Sequence, residues 1–435
     1  MRILLINPPS LPGTTANREG TAGMGVTVCY PRAFFYPPQT IAYSVAFLRE
    51  AGHTVWAVDA VGDAMDIPHT LSRITASPPD IMVIQVAPHT WEADRTFLQA
   101  LAQALPHTPR LLIGTGAQFI PREQWTDLAD AVLTGDAEWG ICQAVEALVD
   151  RKDAPGLWWP DRPTPPPPVR IPPQARLPRP AWDALPVERY PFLTLWGSRG
   201  CNAHCRWCPY VLGWGNTQRA RRPEEVAAEL VWLARTYRKP RHMFRDPVFA
   251  ADPSWVEAFC HAIGECSPSP PPWECEDRPE HLTPERVALM ARAGCTQIKL
   301  GLEVLSGPLL HRWERLAAPT DLQTYQIQAA NVIRACRQHN VLCRVFIVIG
   351  LGETEEDLEA TARFLAHVRP HYISVKRFTL YPGLNPPPHR SLPEATLASW
   401  ETRLAQLAAP PRPPRWGRAR HWIRRFRRGF QWGNK

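Results

Sequence analysis

A proline-rich segment between residues 155 and 191 divides this chain of 435 residues into two parts. The segment contains thirteen of the 49 prolines, and four of them are consecutive at positions 165–168. Proline fixes φ and lacks a backbone N–H group, so such a segment cannot pair into a sheet or continue a helix. We therefore predict an extended connection over residues 151–191, with a folded domain on each side of it.

Short apolar runs alternate with helix-like segments through residues 1–150. The runs lie at 2–6, 55–59, 80–86, 111–114 and 131–134, and the helical segments at 39–51, 91–105 and 138–149. This alternation predicts an α/β domain with a parallel, doubly wound (Rossmann-like) sheet. Ligands of such sheets bind at the carboxyl ends of the strands, where this chain has Asn7-Pro8-Pro9, His89, Gly116 and residues 135–138. Spacing alone also allows these segments to be ordinary turns.

A second series of apolar runs and helical segments occupies residues 192–385. The predicted strands are 192–196, 242–245, 273–276, 297–301, 342–349 and 372–376. Six strands with intervening helices suit a partial or full β/α (TIM-like) barrel better than a second open sheet. The chemistry of such barrels lies at the carboxyl ends of the strands.

Three cysteines follow the first strand of the second series in a C-x3-C-x2-C pattern: Cys201, Cys205 and Cys208. Three thiolates on one loop can ligate three irons of a cubane cluster and leave the fourth iron open to a substrate. A structural zinc site is one alternative, but it would need a fourth ligand, and His204 stands so close to its neighbouring cysteines that it would not easily complete a tetrahedron. Three unconnected buried thiols are the remaining alternative.

The loop resembles that of the radical S-adenosylmethionine (SAM) enzymes, with Trp207 at the family's aromatic position. Further motifs of the cobalamin-binding branch, class B, follow in family order at 241–249, 273–278, 290–295, 301–306, 350–354 and 381–383. The resemblance implies that the three cysteines hold a [4Fe–4S] cluster. In the family this cluster donates an electron to SAM, whose cleavage yields a 5′-deoxyadenosyl radical.

The same resemblance implies a set of residues that bind SAM. Glu303 is expected to contact the ribose, although it could instead cap a helix or pair with an arginine. Arg344 could face the SAM carboxylate or form a surface salt bridge. The full implied set is Trp207, Asp246, Glu303, Ser306, Arg344, Gly350, Gly352 and Tyr381.

Residues 1–150 resemble the B12-binding domain of class B enzymes. Thr115 and Ala137 stand where the family has glycines that let the backbone approach the ligand. The D-x-H-x-x-G motif is missing from the sequence, so no histidine is assigned as the lower cobalt ligand. A domain that has lost cobalamin and only shapes the substrate pocket is the alternative. The implied cobalamin-binding residues are Asn7, Pro8, Pro9, His89, Thr115, Gly116, Gly135 and Glu138.

These resemblances predict a cobalamin-dependent radical SAM enzyme that methylates an unactivated carbon of a specialised metabolite or lipid. A flavodoxin- or ferredoxin-type protein is the expected reductant. One alternative keeps the cofactors and changes the outcome to cyclisation, oxidation or rearrangement. The other alternative, from a different class, is a non-catalytic iron–sulfur or zinc-binding protein.

The net charge of +8 comes from the carboxyl-terminal end, within a predicted segment 386–435 that forms a helix and a basic aromatic tail. Nine of the 49 lysines and arginines follow residue 410, and no acidic residue does. Trp422, Ile423, Phe426 and Phe430 would share one helix face, which predicts contact of residues 411–435 with an anionic membrane. A solvated tail and, less favoured, nucleic-acid binding are the alternatives.

The amino terminus and the cysteines predict a cytoplasmic location, with peripheral membrane contact through the tail. The first residues do not have the pattern of a secretory signal, and the eleven cysteines are odd in number. No apolar run reaches the ~18 residues needed to span a bilayer.

Overall fold

The computed structural model describes residues 1–29, 36–316 and 321–409. Its amino-terminal elements are, in chain order, β1 (Arg2–Asn7), β2 (Thr15–Asn17), β3 (Val26–Val28), α1 (Gln39–Glu50), β4 (Thr54–Asp59), α2 (Ile67–Thr75), β5 (Ile81–Gln85), α3 (Trp91–Ala104), β6 (Arg110–Ile113), α4 (Arg122–Trp125), β7 (Ala131–Leu133), α5 (Ala137–Asp150) and β8 (Leu157–Trp158).

Six of these strands form one sheet in the order β4-β1-β5-β6-β7-β8. The first five are parallel, and β8 runs antiparallel to β7. The prediction of a doubly wound α/β sheet is confirmed, and its strand order is the flavodoxin-like 2-1-3-4-5 form. The point at which the order reverses lies between β1 and β5, so this is where a ligand is expected.

The prediction that the proline-rich connection pairs with no sheet was wrong at two places. Leu157 and Trp158 form β8 at the edge of the first sheet. Further on, the backbone N–H of Val169 donates to the Thr134 carbonyl oxygen at 3.0 Å, and the Asp136 N–H donates to the Val169 carbonyl oxygen at 2.8 Å. These residues lie outside the run 165–168 and keep the N–H groups that proline lacks.

The second series continues with β9 (Leu193–Leu195), β10 (Ser198–Arg199), α6 (Tyr210–Trp214), β11 (Arg219–Ala220), α7 (Pro223–Tyr237), β12 (His242–Phe244), α8 (Pro253–Cys266), β13 (Trp273–Asp277), α9 (Pro284–Arg292), β14 (Cys295–Gly301), α10 (Gly307–Arg312), α11 (Leu322–Gln338), β15 (Leu342–Ile349), α12 (Glu355–Val368), β16 (Tyr372–Arg377) and α13 (Glu394–Ala405).

The strands of this series form a partial barrel. They pair in the order β9-β12-β13-β14-β15-β16, all parallel and each beside its predecessor. Over the described ranges β9 and β16 do not pair with each other, so the sheet stays open. The predicted barrel is thus confirmed in its partial form. The domain boundaries at residues 150, 191 and 385 stay a prediction.

Side-chain caps explain where several barrel helices begin. The Asp252 carboxylate accepts hydrogen bonds from backbone N–H groups at the start of α8, and Asp321 does the same for α11. Thr354 and Asp357 form a reciprocal capping box at the start of α12. Such caps satisfy N–H groups that have no partner within the helix.

One apolar core runs through both sheets. It contains residues of β1 and α1 from the first sheet, residues of β9 and α7 from the barrel, and Trp182 and Tyr190 from the connection between them. A smaller cluster covers the other face of the first sheet. No helix in the described part of the chain is both long and apolar enough to cross a membrane. The predicted tail helix lies outside the described residues.

Candidate functional site

The three cysteines lie on a loop, residues 200–218, that starts at β10 and ends at β11. These two short strands pair with each other, so the ends of the loop meet. Gly200 has φ +80°, and a Cβ there would stand 2.0 Å from the Thr217 carbonyl oxygen. The Cys201 N–H donates to the Gly215 carbonyl oxygen at 3.2 Å. Only glycine permits this close return of the backbone.

The three cysteine thiols lie close together beside two arginines, with Cys201 buried and Cys205 and Cys208 half-buried. Burial raises the pKa of all three thiols, and the Cys201 and Cys205 charges raise that of Cys208 further. Arg278 Nη1 lies 3.9 Å from Cys205 Sγ, and the Arg278 and Arg315 charges oppose the rise at Cys205. Nearby cations favour thiolates, so these residues fit an iron–sulfur cluster. In residues 1–29, 36–316 and 321–409, no three His, Cys, Asp or Glu side chains are grouped to hold a single metal ion.

Glu303 follows β14 and lies close to the cysteine loop. Its backbone has φ +63°, and its N–H donates to the Phe346 carbonyl oxygen at 3.0 Å. Burial raises the pKa of the carboxyl group to about 7, against the opposing charges of Arg315 and Arg278. The buried Oε2 atom has no hydrogen-bond partner among the described residues. An unpaired buried acceptor of this kind fits a hydroxyl donor, such as a ribose.

Two arginines beside the cysteines were missed by sequence reasoning. Arg278 Nη2 donates to Glu280 Oε1 at 2.9 Å and to the Arg315 carbonyl oxygen at 2.6 Å. Arg315 Nη2 donates to the Gly301 carbonyl oxygen and to the Tyr325 hydroxyl, both at 2.9 Å. Burial would raise the pKa of Glu280, but the charges of Arg315 and Arg278 outweigh it and lower the pKa to about 2. Arg278 ends the predicted family motif at 273–278 but was given no role there, whereas Arg315 has no sequence signal.

Trp207 joins the cysteine loop to the ends of the last barrel strands. Its ring lies 6.0 Å from that of Trp313, which contacts the rings of Phe378 and His389 at 5.1 and 5.0 Å. Trp313 Nε1 donates to the Leu351 carbonyl oxygen at 2.9 Å, within the turn that follows β15.

The two predicted glycines of that turn have backbone conformations that favour glycine. Gly350 has φ +92° and Gly352 has φ +93°. The Glu353 carboxylate accepts from the N–H groups of Gly350 at 2.6 Å and Leu351 at 2.7 Å. The structure thus brings this turn, Trp207 and Glu303 to the same edge of the barrel.

Asp246 and Arg344 have other surroundings. Asp246 accepts from the Gly197 N–H at 2.9 Å and from the Ser198 hydroxyl at 2.8 Å, and burial raises the pKa of its carboxyl group to about 7. It therefore supports the chain that enters the cysteine loop. Arg344 lies within β15, where its Nη1 donates to Ser374 Oγ at 3.0 Å. Burial lowers the pKa of its guanidinium.

Ser306 and Tyr381 lie at the same end of the barrel as Glu303. Ser306 is buried at the start of α10. The ring of Tyr381 lies 4.5 Å from that of His89, which follows β5 of the first sheet. Burial raises the pKa of the Tyr381 hydroxyl and lowers that of His89. A residue expected at SAM therefore contacts a residue expected at cobalamin.

Residues 10–28 cover the carboxyl edge of the first sheet. The Arg18 guanidinium donates to Asn7 Oδ1 at 2.9 Å and to the Pro8 carbonyl oxygen at 2.8 Å, and its Nη2 atom reaches the Pro9 carbonyl oxygen at 3.5 Å. Its charge is balanced by buried Asp94, 2.8 Å from Nε. The predicted Asn-Pro-Pro segment is thus held by the chain's own arginine.

A strained turn in the same segment packs on the predicted Thr115-Gly116 site. Thr21, Ala22 and Gly23 all have positive φ, which is costly for the first two. A Cβ on Gly23 would lie 2.7 Å from Thr115 Cβ, and one on Gly116 would lie 2.6 Å from the Gly23 carbonyl oxygen.

Several buried amide groups at the switch point between β1 and β5 have no hydrogen-bond partner among the described residues. They are both polar atoms of Gln39, Gln85 Oε1 and Asn17 Oδ1. Glu19 pairs with one of them, because its Oε1 accepts from Gln85 Nε2 at 2.9 Å, and it also accepts from the Thr40 N–H at 2.9 Å. Unpaired buried amides fit a ligand that carries amide groups of its own, as the corrin ring does.

Gly135 and Glu138 face the connection and the barrel. Gly135 has φ +93°, and a Cβ there would lie 2.1 Å from the Val169 carbonyl oxygen. Glu138 is 1% exposed and its carboxylate accepts a hydrogen bond from Arg199, the residue before Gly200.

A cavity of about 460 Å³ opens beside the cysteine loop. Its walls come from that loop, which includes α6, from the turn after α10 and from the segment after β16, and both charged and apolar side chains line it. They include Cys205, Arg206, Leu212, Glu314 and Leu384.

Comparison with known proteins identifies the carboxyl-terminal part. Residues 197–365 match the model of the Radical SAM superfamily. An uncharacterised methyltransferase of Pyrococcus horikoshii is 23% identical over 88% of this chain and 82% of its own length. The anaerobic magnesium-protoporphyrin IX monomethyl ester cyclase of a Synechocystis strain is 23% identical over 95% of this chain and 83% of its own.

The whole fold also matches a solved structure. The radical SAM methyltransferase TsrM from Kitasatospora setae, solved with cobalamin and a [4Fe–4S] cluster, superposes with a TM-score of 0.70 at 17% identity. The match covers 87% of this chain and 72% of that one, and therefore both sheets. Residues 197–365, which include the three-cysteine loop at the barrel edge, therefore form a domain that matches the Radical SAM superfamily.

Proposed function

We propose that this chain is a cobalamin-dependent radical SAM methyltransferase that acts on an unactivated carbon. The observation that carries the proposal is the contact between the cysteine loop and the edge of the first sheet. A Cβ on Gly213, in α6 of the loop, would lie 2.5 Å from the Ala22 carbonyl oxygen and 3.1 Å from Thr115 Cγ2. The expected cluster and cobalamin sites are therefore neighbours.

Cys201, Cys205 and Cys208 are the proposed cluster ligands, and Glu303, Ser306, Trp207, Gly350, Gly352 and Tyr381 the proposed SAM contacts. When bound, the cluster and SAM supply a 5′-deoxyadenosyl radical, and cobalamin supplies a methyl group. Arg278 and Arg315 hold positive charge beside Cys205, which favours its thiolate form. Glu303 offers its unpaired oxygen to a ribose hydroxyl.

The unpaired amides of Gln39, Gln85 and Asn17 support a cobalamin site at the switch point of the first sheet. His89, Thr115 and Gly116 border the same edge, beneath the turn at residues 21–25. The methyltransferase relatives support methyl transfer as the outcome.

The substrate is a small molecule, and the reaction needs an electron donor. We propose a flavodoxin- or ferredoxin-type donor, a specialised metabolite or lipid as substrate, and a cytoplasmic location, which the eleven free cysteines support. Contact of residues 411–435 with an anionic membrane is proposed from the sequence alone. Deletion of these residues should then abolish co-sedimentation with vesicles that contain anionic lipid.

Anaerobic reconstitution tests the proposed function. The wild-type protein should bind four irons and a corrinoid, and it should release 5′-deoxyadenosine from SAM when dithionite is added. Cys205→Ala should lose the cluster absorption and the 5′-deoxyadenosine, because one iron loses its ligand. Cys266→Ala, which removes a half-buried thiol in α8, is the matched control and should retain both. A wild-type protein that binds no corrinoid would exclude the methyltransferase.

A second candidate keeps the radical and changes the product. The match to the cyclase extends over 95% of this chain, which favours ring formation as the alternative. A methyltransferase adds one methylene unit to the mass of its product, whereas a cyclase leaves the carbon count unchanged. Mass spectrometry of the product distinguishes the two.

A further inference from the structure

Four charged side chains connect the first sheet to the base of the cysteine loop. Asp136 lies between β7 and α5, Glu138 lies in the first turn of α5, and Arg199 and Arg219 come from β10 and β11. We call these four residues the carboxylate clamp. Asp136 is fully buried, and the side chains of Glu138, Arg199 and Arg219 are 1%, 5% and 9% exposed.

The two arginines lie at the two ends of the loop and bind the carboxylates of the first sheet. Arg199 and Arg219 are directly paired across the β10–β11 ladder, one residue before and one residue after the loop. Arg199 Nη1 lies 3.1 Å from Asp136 Oδ1, and its Nη2 pairs with Glu138. Arg219 Nη2 donates to Asp136 Oδ2 at 2.9 Å. One carboxylate of the first sheet therefore contacts both ends of the loop.

Further contacts fix the orientation of the clamp. Arg219 Nη1 donates to the Trp214 carbonyl oxygen inside the loop at 2.8 Å. The Arg199 guanidinium lies 3.4 Å from the centre of the Trp196 ring, on which it stacks. The second Asp136 oxygen also accepts from the Ile171 N–H at 2.8 Å. The clamp thus joins the first sheet, the connection and the cysteine loop.

The four side chains of the clamp are charged and buried. An ion pair taken out of water contributes little net stability, but removal of one partner leaves an uncompensated charge and is strongly destabilising. Such a pair therefore fixes a geometry more than it adds free energy. Arg199 of β10 and Arg219 of β11 both contact the Asp136 carboxylate. These contacts therefore fix the direction in which the loop leaves the barrel.

We propose that Asp136 and Glu138 are positioning residues for the cysteine loop, which they act upon through Arg199 and Arg219. They set the position of the three cysteines relative to the first sheet. The proposal rests on the proposed function only in that this loop carries the cluster. It reassigns Glu138, which the family resemblance placed at cobalamin, to the orientation of the loop.

Glu138→Gln and a matched control test the clamp. The variant keeps the shape of the side chain and removes its charge. The control, Glu229→Gln, changes a carboxylate of α7 that is 4% exposed. Glu229 accepts from the Tyr43 hydroxyl of α1, which belongs to the other sheet, and from Arg221 Nη2, both at 2.7 Å. The hydrogen bonds of Glu229 in the described part of the chain do not reach residues 199–219.

Amide hydrogen exchange of the metal-free protein is the first measurement. Glu138→Gln should accelerate exchange of protected amides in residues 200–218, including that of Cys201, by about tenfold. Amides of β15 should exchange at the wild-type rate, which shows that the variant is folded. Glu229→Gln should leave residues 200–218 unchanged. Equal exchange of this segment in the wild type and Glu138→Gln, or equal acceleration by both variants, would overturn the proposal.

Cleavage of SAM by the reconstituted protein is the second measurement. Glu138→Gln should lower the kcat for 5′-deoxyadenosine about tenfold, with a smaller change in the KM for SAM, because the cysteines are misplaced and the SAM contacts remain. Glu138→Asp should restore part of the rate. If Glu138→Gln lost corrinoid binding while amide exchange in residues 200–218 stayed unchanged, Glu138 would be a cobalamin contact and the proposed positioning role would be wrong. A loosened loop in a chain whose wild type cleaves no SAM would support the clamp and refute the proposed function.

Discussion

At the scale of single residues, buried His242 makes the stability of the barrel depend on pH. It is fully buried on β12, and burial lowers the pKa of its imidazole to about 4. The unfolded chain binds the proton near pH 6.5 and the folded chain only near pH 4, so protonation favours unfolding between these values. The wild-type free energy of unfolding should fall by about 2 kcal/mol from this group between pH 7 and pH 5.

His242→Leu should remove this part of the pH dependence, because leucine fills a similar volume and does not titrate. The Pro272 carbonyl oxygen still accepts from the backbone N–H of residue 242, so the substitution leaves it paired. Urea unfolding at pH 7 and pH 5 measures the difference. The control is His261→Gln, at an exposed histidine. This variant should show the wild-type change in the free energy of unfolding between pH 7 and pH 5. If the free energy of unfolding of His242→Leu changed as much between pH 7 and pH 5 as that of the wild type, His242 would not be the source of this pH dependence.

Some residues of the candidate site could be predicted from the sequence and others could not. The cysteine loop was predictable because three thiols at fixed spacing carry their chemistry in the pattern itself. Arg315 could not be found, because it contacts Glu280 and Gly301 only after α10 has folded back. The tight contact of Gly135 with Val169 depends on the path of the connection, which spacing does not reveal.

At the scale of elements, the start of the cysteine loop depends on Gly200. Its φ of +80° and the 2.0 Å approach of the Thr217 carbonyl oxygen leave no room for a Cβ. Gly200→Ala should therefore open the loop base, lower the free energy of unfolding by about 3 kcal/mol and reduce the iron bound on reconstitution. Chemical unfolding and iron analysis measure the two effects.

Gly264 gives the matched control, because it lies inside α8 and a Cβ added there would have no contact within 4 Å. The same substitution there should stabilise the protein by about 0.5–1 kcal/mol through helix propensity. Loss of stability at both positions would show that the effect at Gly200 is not one of backbone conformation.

The sequence predicted the helices and strands whose apolar pattern extends over many residues. It did not predict the short strands, whose formation depends on tertiary contacts. The twelve-residue helix α1 and the eight-residue strand β15 match their predicted ranges within one residue. The pairs β2–β3 and β10–β11 were missed, because strands of two or three residues show no periodic pattern. These short elements surround both proposed cofactor sites, so the least predictable parts of the chain are those that build the site.

At the scale of the whole molecule, the shared core predicts that the two sheets unfold together. Tyr43 of α1 stacks on Trp196 of the barrel, with ring centres 5.5 Å apart. Its hydroxyl donates to Glu229 at 2.7 Å. Tryptophan fluorescence and circular dichroism of the wild-type protein should therefore report one coincident transition in urea.

Two variants of Tyr43 separate the ring from the hydroxyl. Tyr43→Phe keeps the stacked ring and should cost about 1 kcal/mol for the lost hydrogen bond. Tyr43→Ala also leaves a cavity between the sheets and should cost about 3–5 kcal/mol. In Tyr43→Ala the urea transitions reported by fluorescence and by circular dichroism should no longer coincide, because the sheets lose the contact that couples them. An alanine variant that unfolds in one transition at the midpoint of the phenylalanine variant would mean that the remaining core, with Trp182 and Tyr190, couples the sheets without Tyr43.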